Sequence, residues 1–171
     1  MNISIKLLSI EDARSLYDFE LENRAYFETF VPGRGEDYYI YENFLASLKD
    51  LLKEQEEGVS YFHLIINEAN QIVGRMNLVD VDKEKRQGSI GYRVGKSYLG
   101  KGVASVALQL LLQEAIMEYS VNEFLASTTS NNVASQRVLE KNNFVLQSVD
   151  KKKIVWEDGV KYDFLNYIRK S

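Results

Sequence analysis

Apolar residues recur along the chain with the spacings of strands and helices. Between residues 3 and 7 they alternate with more polar neighbours, which predicts a first strand. Ser9 is suited to cap a helix, because two acidic residues and an alanine follow it at positions 11–13. A longer helix is predicted over residues 36–56 and is ended by Gly58. Its apolar stripe, with members three or four residues apart, consists of Tyr41, Phe44, Leu45, Leu48, Leu51 and Leu52.

The rest of the chain predicts a mixed sheet covered by helices. Apolar runs bounded by polar turns predict strands at 60–67, 71–81, 88–94, 121–129, 144–156 and 160–168. Helices are predicted at 102–119, which is apolar nearly all round, and at 131–142. The last two strands are expected to form a hairpin around Glu157, Asp158 and Gly159. These elements predict an α/β (α+β) fold whose mixed sheet of about seven strands has helices on both faces.

Size and charge narrow the classes of protein that fit this pattern. The 171 residues are 45% apolar and contain one proline, so a single domain over 1–171 is expected. The formal charge of −4 argues against a general nucleic-acid binder, which needs a broad cationic face. An amine-bearing or locally basic partner fits better, although a mildly acidic balance also serves solubility alone.

The cysteine and histidine content of the chain excludes several kinds of covalent, catalytic and metal-binding site. The chain has no cysteine, which excludes disulfides, thiol nucleophiles and zinc sites built on thiolates. The single histidine, His63, lies within an apolar run at 61–66 that predicts a buried strand, so a structural role is expected and no metal site. The first residues lack a basic stretch followed by an apolar run, and nowhere do about 18 apolar residues stand together. A cytoplasmic protein without a membrane partner is therefore expected.

A glycine-rich segment at 91–105 runs from a predicted strand through a turn into a predicted helix. Gly100 and Gly102 allow a tight turn and a close approach of the backbone to a ligand. The free amides of the first helical turn favour an anion such as a phosphate, and Lys96 and Lys101 add positive charge. The same residues are also compatible with an ordinary strand-to-helix turn. The segment lacks the signatures of a nucleoside triphosphate site and of a complete dinucleotide site.

Two motifs in the second half of the chain carry a resemblance to a known family. Gly91-Tyr92 and Tyr98-Leu99-Gly100-Lys101-Gly102-Val103-Ala104 resemble the acetyl-CoA signature of the GNAT superfamily, Gln/Arg-x-x-Gly-x-Gly/Ala, with Gly102 and Ala104 in the last two places. Leu99 departs from it in a way that is common in the RimJ/RimL-type protein N-terminal acetyltransferases. Residues 131–144 resemble that branch's Asn-x-x-Ser helix ending in Lys-x-Gly-Phe, with Asn143 in place of the glycine. Asn tolerates the left-handed conformation that ends a helix.

The resemblance implies a fold and a cofactor site. It implies a single-domain GNAT-like fold with a mostly antiparallel sheet, and acetyl-CoA as cosubstrate without a metal. The backbone over 92–94 would pair with the pantetheine arm like an added strand, and an amide near Tyr92 would polarise the acetyl carbonyl. The cofactor-binding residues that it implies are Tyr92, Arg93, Val94, Leu99, Gly100, Lys101, Gly102, Val103, Ala104, Asn132 and Ser135.

The resemblance also assigns catalytic roles. Ser135 would protonate or hydrogen-bond the leaving thiolate, Asn132 would orient CoA, and Tyr92 would lie at the reacting carbonyl. Asn132 and Ser135 are three apart on a predicted helix and so share a face. The alternative makes Asn131 or Asn132 a helix cap and Ser135 a small packing residue.

The base and the acceptor site are less defined. The strand over 88–94 has no carboxylate, so Asp80, Glu28 and an ordered water relay stay open as the base that frees the amine. Five aromatic residues are candidates to receive the acceptor, unless they serve packing: Tyr26, Phe27, Phe30, Tyr38 and Tyr39.

The resemblance thus implies an acetyl-CoA-dependent N-acetyltransferase that acts on a primary amine. The RimJ/RimL-type resemblance points to a protein N-terminus, in particular on a ribosomal protein. The alternatives are a small amine such as a polyamine, an amino sugar or an antibiotic, and a non-catalytic acyl-CoA-binding domain. The oligomeric state is left open between a monomer and a homodimer.

Overall fold

The computed structural model describes residues 1–155 and 159–171. The helices are Ala13–Phe27 (α1), Tyr41–Glu56 (α2), Val103–Glu118 (α3) and Val133–Lys141 (α4). The strands are Ile3–Leu7 (β1), Tyr61–Asn67 (β2), Ile72–Asp82 (β3), Gln87–Val94 (β4), Glu123–Thr129 (β5), Val145–Val155 (β6) and Lys161–Lys170 (β7). The predicted residues Trp156, Glu157 and Asp158 of the closing hairpin lie outside the described residues.

The seven strands form one sheet in the order β1-β2-β3-β4-β5-β7-β6. Neighbouring strands pair antiparallel except for β4 and β5, which run parallel. The parallel pair needs a crossover, and α3 supplies it. The predicted mixed, mostly antiparallel sheet is confirmed.

Each face of the sheet has its own apolar core because side chains alternate along the strands. On β2, Ile65 faces the core that α3 covers, whereas Leu64 faces the core shared with α1 and α2. Helix α3 buries Leu108 and Leu111 completely. The predicted placement of helices on both faces is therefore confirmed, and the sheet lies between them.

Two helices begin two or more residues after their predicted starts. Helix α2 starts at Tyr41 rather than at residue 36, because Asp37–Tyr39 form a short 3-10 helix and Ile40 is extended, with φ −82° and ψ 124°. Helix α4 starts at Val133, since Asn132 precedes it as the cap. The α4 helix ends at Lys141, one residue before its predicted end, and Asn143 adopts the expected left-handed conformation at φ 66°. In the described part of the chain, no helix has both the length and the apolar character that a membrane crossing requires.

His63 is buried in β2, as the sequence predicted. Its side chain is 1% exposed, and its Nε2 atom lies 2.6 Å from Glu114 Oε2 and 3.2 Å from the Tyr119 hydroxyl. Burial lowers the pKa of the imidazole and outweighs the opposing effect of Glu114. The folded protein therefore keeps His63 neutral at pH values where the unfolded chain, with a histidine pKa of about 6.5, binds a proton.

This difference predicts a loss of stability on the acid side. As the pH falls through about 6.5, the unfolded state gains a proton that folded His63 does not, so the free energy of unfolding decreases. A His63→Gln variant lacks this term. Urea unfolding from pH 8 to pH 5 is expected to show the difference in stability between the two proteins shrinking as the pH falls. A difference that is constant over this range would contradict the prediction.

Candidate active site

Strands β4 and β5 separate partway along their length. Their pairing runs from Gln87 opposite Glu123 to Ile90 opposite Ala126, although β4 continues to Val94 and β5 to Thr129. On its other edge, the same stretch of β4 stays paired with β3 through Val94. The separation leaves a gap in the sheet, and backbone groups of residues 91–94 face it without a partner strand among the described residues.

The glycine-rich turn ends at the first turn of α3. Gly102 caps this helix at φ 74° without a side-chain hydrogen bond, and Gly100 has φ 72°. A Cβ atom added at either glycine would meet nothing within 4 Å, so the surface here is open. The first amides of a helix have no partner within the helix and carry partial positive charge. The turn therefore presents bare amides to solvent, as an anion site requires.

Contacts with α1 hold the glycine-rich turn in place. The Lys96 backbone amide donates to Asn23 Oδ1 at 2.9 Å, and a Cβ added at Gly95 would lie 3.0 Å from the Phe19 ring. Lys96 and Lys101 are exposed, and the Lys101 ammonium lies 5.8 Å from the centre of the Tyr98 ring. The turn is thus anchored on its inner side and cationic on its outer side.

The start of α4 brings together the three residues predicted to be catalytic. Asn132 Oδ1 accepts a hydrogen bond from the Ser135 amide at 3.1 Å, so Asn132 is the helix cap that the alternative interpretation expected. Its amide nitrogen donates to none of the described residues and is free to face a ligand. Ser135 Oγ lies 2.9 Å and the Ser135 carbonyl oxygen 3.2 Å from the Tyr92 hydroxyl, whose single proton can be donated to either oxygen. Ser135 therefore has a polar contact that packing alone does not require.

Tyr92 is a protonated phenol at neutral pH. Burial raises its pKa to about 12, and the hydrogen bond with Ser135 opposes that shift only in part. The phenol can donate a hydrogen bond to Ser135 without ionising. Tyr92 and Ser135 therefore present two hydrogen-bonded hydroxyl groups to a ligand in the pockets that they line.

Two pockets meet at these residues. The larger has a volume of about 530 Å³ and passes through the gap between β4 and β5 to the side chains of α1 and α2. The smaller, of about 170 Å³, extends to Leu99 and Ala104 at the start of α3. Residues Tyr92, Arg93, Asn132 and Ser135 line both pockets.

The predicted cofactor residues fall into two groups in the structure. Seven of them line the smaller pocket: Tyr92, Arg93, Val94, Leu99, Ala104, Asn132 and Ser135. Gly100, Lys101 and Gly102 lie exposed at the open start of α3, outside the pocket. The side chain of Val103 belongs to the core at 4% exposure, so only its backbone amide is available to a ligand.

Only some of the residues predicted to act as the base or to bind the acceptor line the two pockets. Neither Asp80 nor Glu28 lines either pocket: Asp80 is exposed, and Glu28 pairs with Arg24 at 3.1 Å. Of the aromatic candidates, Phe30 lines both pockets. Tyr38 lines the larger pocket, Tyr26 and Phe27 line the smaller, and Tyr39 lines neither.

A buried charged cluster was not anticipated from the sequence. Glu20 of α1 is fully buried, and its carboxylate lies 2.8 Å from Arg75, 3.3 Å from Arg34 and 3.4 Å from Arg93. Burial acts to raise the pKa of Glu20, but the three guanidinium groups outweigh it and hold the pKa below its usual value. The one sequence signal is position, since Glu20 lies on the buried stripe of α1 with Leu16, Asn23 and Phe27. Among the described residues, no group of histidine or acidic side chains is arranged to hold a metal ion.

Comparison with known proteins identifies the family. Residues 2–145 match the model of the acetyltransferase (GNAT) domain. The chain is 28% identical over 170 residues to the Bacillus subtilis protein named "Probable N-acetyltransferase YjcK", covering 96% of this chain and 94% of that protein. It is 24% identical to the [ribosomal protein uS5]-alanine N-acetyltransferase of Escherichia coli, covering 91% and 84%.

Solved structures share the fold. The ribosomal-protein-S5-alanine acetyltransferase from Vibrio fischeri superimposes with a TM-score of 0.90 at 18% identity, covering 99% of this chain and 93% of that one. RimL, a ribosomal L7/L12 α-N-protein acetyltransferase in complex with coenzyme A, gives a TM-score of 0.89 at 20% identity, covering 99% and 94%. With its fold and its matched domain, the chain belongs to the GNAT family and is an N-acetyltransferase, in a family whose acetyl donor is acetyl-CoA.

Proposed function

We propose that this enzyme transfers the acetyl group of acetyl-CoA to the α-amino group at a protein N-terminus, with residues 1–171 acting as one domain. The observation that carries the proposal is the meeting of the two pockets at Tyr92, Asn132 and Ser135. A donor in the smaller pocket and an acceptor in the larger would present their reacting groups to the same side chains, and the amine would attack the thioester directly. A relative that acetylates ribosomal protein uS5 supports a ribosomal acceptor, which would put the reaction in the cytoplasm.

The start of α3 fits the diphosphate of the donor. The open positions at Gly100 and Gly102 leave room for phosphate oxygens, and the amides of Val103 and Ala104 would bind them. Lys96 and Lys101 add positive charge at the exposed side. The backbone of residues 91–94 would then pair with the pantetheine arm in the gap of the sheet, with an amide near Tyr92 directed at the acetyl carbonyl.

Ser135 and Tyr92 would assist the departure of the thiolate. In this scheme the Ser135 hydroxyl donates its proton to the sulfur as the carbon–sulfur bond breaks, and the Tyr92 phenol passes its own proton to Ser135 over the observed distance of 2.9 Å. The proton that the amine releases to water would return to Tyr92. The free amide nitrogen of Asn132 would orient the donor, while its oxygen holds the start of α4. Asn132 would thus position the thioester, and Ser135 and Tyr92 would supply a proton to its sulfur.

The acceptor amine must lose a proton, and the pockets contain no conventional base. Among the described residues that line them there is no aspartate, glutamate or histidine. Glu20 lies behind the arginines with a lowered pKa, which makes it a poor proton acceptor. An N-terminal amine, with a pKa of about 7.7–8.0, is partly neutral near pH 7.5 and can bind in that form. A water molecule would take the proton that the amine nitrogen loses after it attacks the thioester.

This mechanism predicts how the rate depends on pH. With a peptide acceptor, kcat/KM is expected to rise about tenfold per pH unit below an amine pKa of about 7.7–8.0 and to level off above it. Tyr92, with its pKa raised to about 12, stays protonated throughout. Initial rates from pH 6 to pH 9.5 would check this. A profile that is flat below pH 7.5 would indicate an enzymic base of lower pKa and contradict the scheme.

The acceptor itself is accessible to mass spectrometry. The purified enzyme would be incubated with an extract of its host cells and isotope-labelled acetyl-CoA, beside a sample without added enzyme. Enzyme-dependent label on the α-amines of one or a few proteins is the expected result. Label confined to lysine side chains or to small amines would overturn the assignment of the acceptor.

A further inference from the structure

The larger pocket has an unusual charge distribution for a site that receives an amine. Its charged lining residues are Arg34, from the loop after α1, Arg75 of β3 and Arg93 of β4. Among its described lining residues there is no acidic side chain and no lysine. Arg75 and Arg93 are paired across neighbouring strands, so two cations stand side by side on one face of the sheet. Like charges in this arrangement repel each other.

Glu20 compensates this charge only in part. It contacts all three guanidinium groups, and the four side chains together keep a net charge of +2. Apolar residues such as Phe30, Phe44 and Leu48 line the same pocket. Positive charge that is taken from water into such surroundings is costly unless an anion accompanies it. Burial and the neighbouring arginines accordingly lower the pKa of Arg93.

Two buried polar atoms of the pocket also lack a hydrogen-bond partner among the described residues. Arg75 is 5% exposed, and its Nε group makes no hydrogen bond. Asn77 Oδ1, two residues along the same strand and on the same face, is likewise buried without a partner. The Arg75 Nε–H group needs an oxygen such as that of a carboxylate, whereas Asn77 Oδ1 needs an N–H or O–H donor. Buried donors and acceptors are normally satisfied, and an unsatisfied one at a binding site indicates a missing partner. Gly91 is paired with Asn77, and a Cβ added there would meet nothing within 4 Å, which leaves space for that partner.

From this geometry we infer that the acceptor carries a carboxylate close to its reactive amine, bound by Arg34, Arg75 and Arg93. The inference rests on the proposed function and specifies its acceptor: a chain with an acidic residue at the second or third position. Tyr92 and the three arginines line the same pocket, and one residue of extended chain spans about 3.3–3.6 Å, so a side chain at the second or third position would face the arginines while the amine lies near Tyr92. The arginines also disfavour a protonated amine and therefore assist its neutral form. Polycationic acceptors such as polyamines are rejected by the same charges.

Matched peptides test this directly. Peptides that begin Ser-Glu, Ser-Gln or Ser-Lys and are otherwise identical would be compared for kcat/KM and, with CoA bound, for calorimetric affinity. A second set would carry the variable residue at position three. We expect the glutamate peptide to exceed its glutamine counterpart about tenfold at one of the two positions, and the lysine peptide to be poorest.

Two arginine variants make the result specific. Arg34→Gln is chosen because this side chain is 31% exposed, whereas Arg75 is deeply buried. It is expected to reduce the preference for glutamate to about twofold. Arg14→Gln is the matched control, since Arg14 is exposed on α1 and lines neither pocket. This variant is expected to keep the full preference.

The two hypotheses fail in different ways. Acetylation of all peptides at equal rates and with equal affinities would overturn the carboxylate inference and leave N-terminal acetylation intact. Tighter binding of the glutamate peptide that depends on Arg34, without turnover, would support the carboxylate site and overturn the proposed function. Binding of no peptide to the CoA complex would count against the carboxylate site.

Discussion

Gly102→Glu is expected to weaken acetyl-CoA binding by about a hundredfold or more. The new carboxylate would stand at the N-terminus of α3, next to the phosphates that the helix amides are proposed to bind. At about 4 Å, two like charges near a protein surface repel by roughly 4 kcal/mol, which is enough for this loss. The added side chain does not collide with the protein, because the space around Gly102 is open. Isothermal calorimetry with acetyl-CoA measures the change.

The matched control is Gly102→Gln. Gly102 has φ 74°, so any other residue there pays a conformational penalty of roughly 1–2 kcal/mol, and the two variants share it. Glutamine has nearly the same size as glutamate and no charge. Its affinity for acetyl-CoA is expected to stay within about tenfold of the unmodified enzyme. Equal losses of affinity in both variants would show that backbone strain, and not charge, causes the effect. Equal affinities in all three proteins would show that the diphosphate does not bind at the start of α3.

Local patterns were sufficient to predict the elements of the fold. The apolar run over 61–66 and the apolar stripe of α2 depend on neighbours a few residues apart, and both elements appear in the structure. The error at the start of α2 is also local in kind. The sequence around Ile40 does not reveal that this residue is extended, and a 3-10 helix takes the place of the first predicted turn. Hydrophobic spacing indicates that a helix exists more reliably than it fixes where the helix begins.

The active site could be predicted only as far as it is encoded by contiguous motifs. The glycine-rich turn is such a motif, and its open geometry agrees with the expectation. The contact of Tyr92 with Ser135 joins residues 43 positions apart, and that of Glu20 with Arg93 joins residues 73 apart. Such contacts arise when the sheet brings α1, β4 and α4 together, which no spacing along the chain records. The assigned roles of the site residues stay predictions.

The groups proposed to act on the donor and on the acceptor extend from opposite faces of one strand, β4. Tyr92 and Arg93 are adjacent on β4, so their side chains point to opposite faces of the sheet. Tyr92 reaches Ser135 on the α4 side, whereas Arg93 reaches Glu20 on the α1 side. The gap beside this strand connects the two faces. Under the proposed assignment, a change in the residues on the α1 side would therefore alter the acceptor without disturbing Tyr92 and Ser135.

The Ser135→Ala variant is expected to lower the rate of acetyl transfer about a hundredfold, with the affinity for acetyl-CoA changed by no more than about threefold. General acid assistance contributes about 10²–10⁴ in rate, and the proposed proton donation to sulfur takes place only as the thioester breaks. Single-turnover rates at saturating acetyl-CoA isolate this step from product release. Ser148→Ala is the control, because Ser148 is exposed on β6 and lines neither pocket.

The double variant tests whether Ser135 and Tyr92 act together. Tyr92→Phe alone removes the phenol that lies 2.9 Å from Ser135 Oγ and is expected to lower the rate about tenfold, because Ser135 then donates without support. If the two hydroxyls form one relay, adding Tyr92→Phe to Ser135→Ala should cost little more, since groups that act as a unit are not additive. Multiplicative losses would indicate independent roles. A transfer rate unchanged by Ser135→Ala would remove Ser135 from the mechanism and leave its contact with Tyr92 as a structural one.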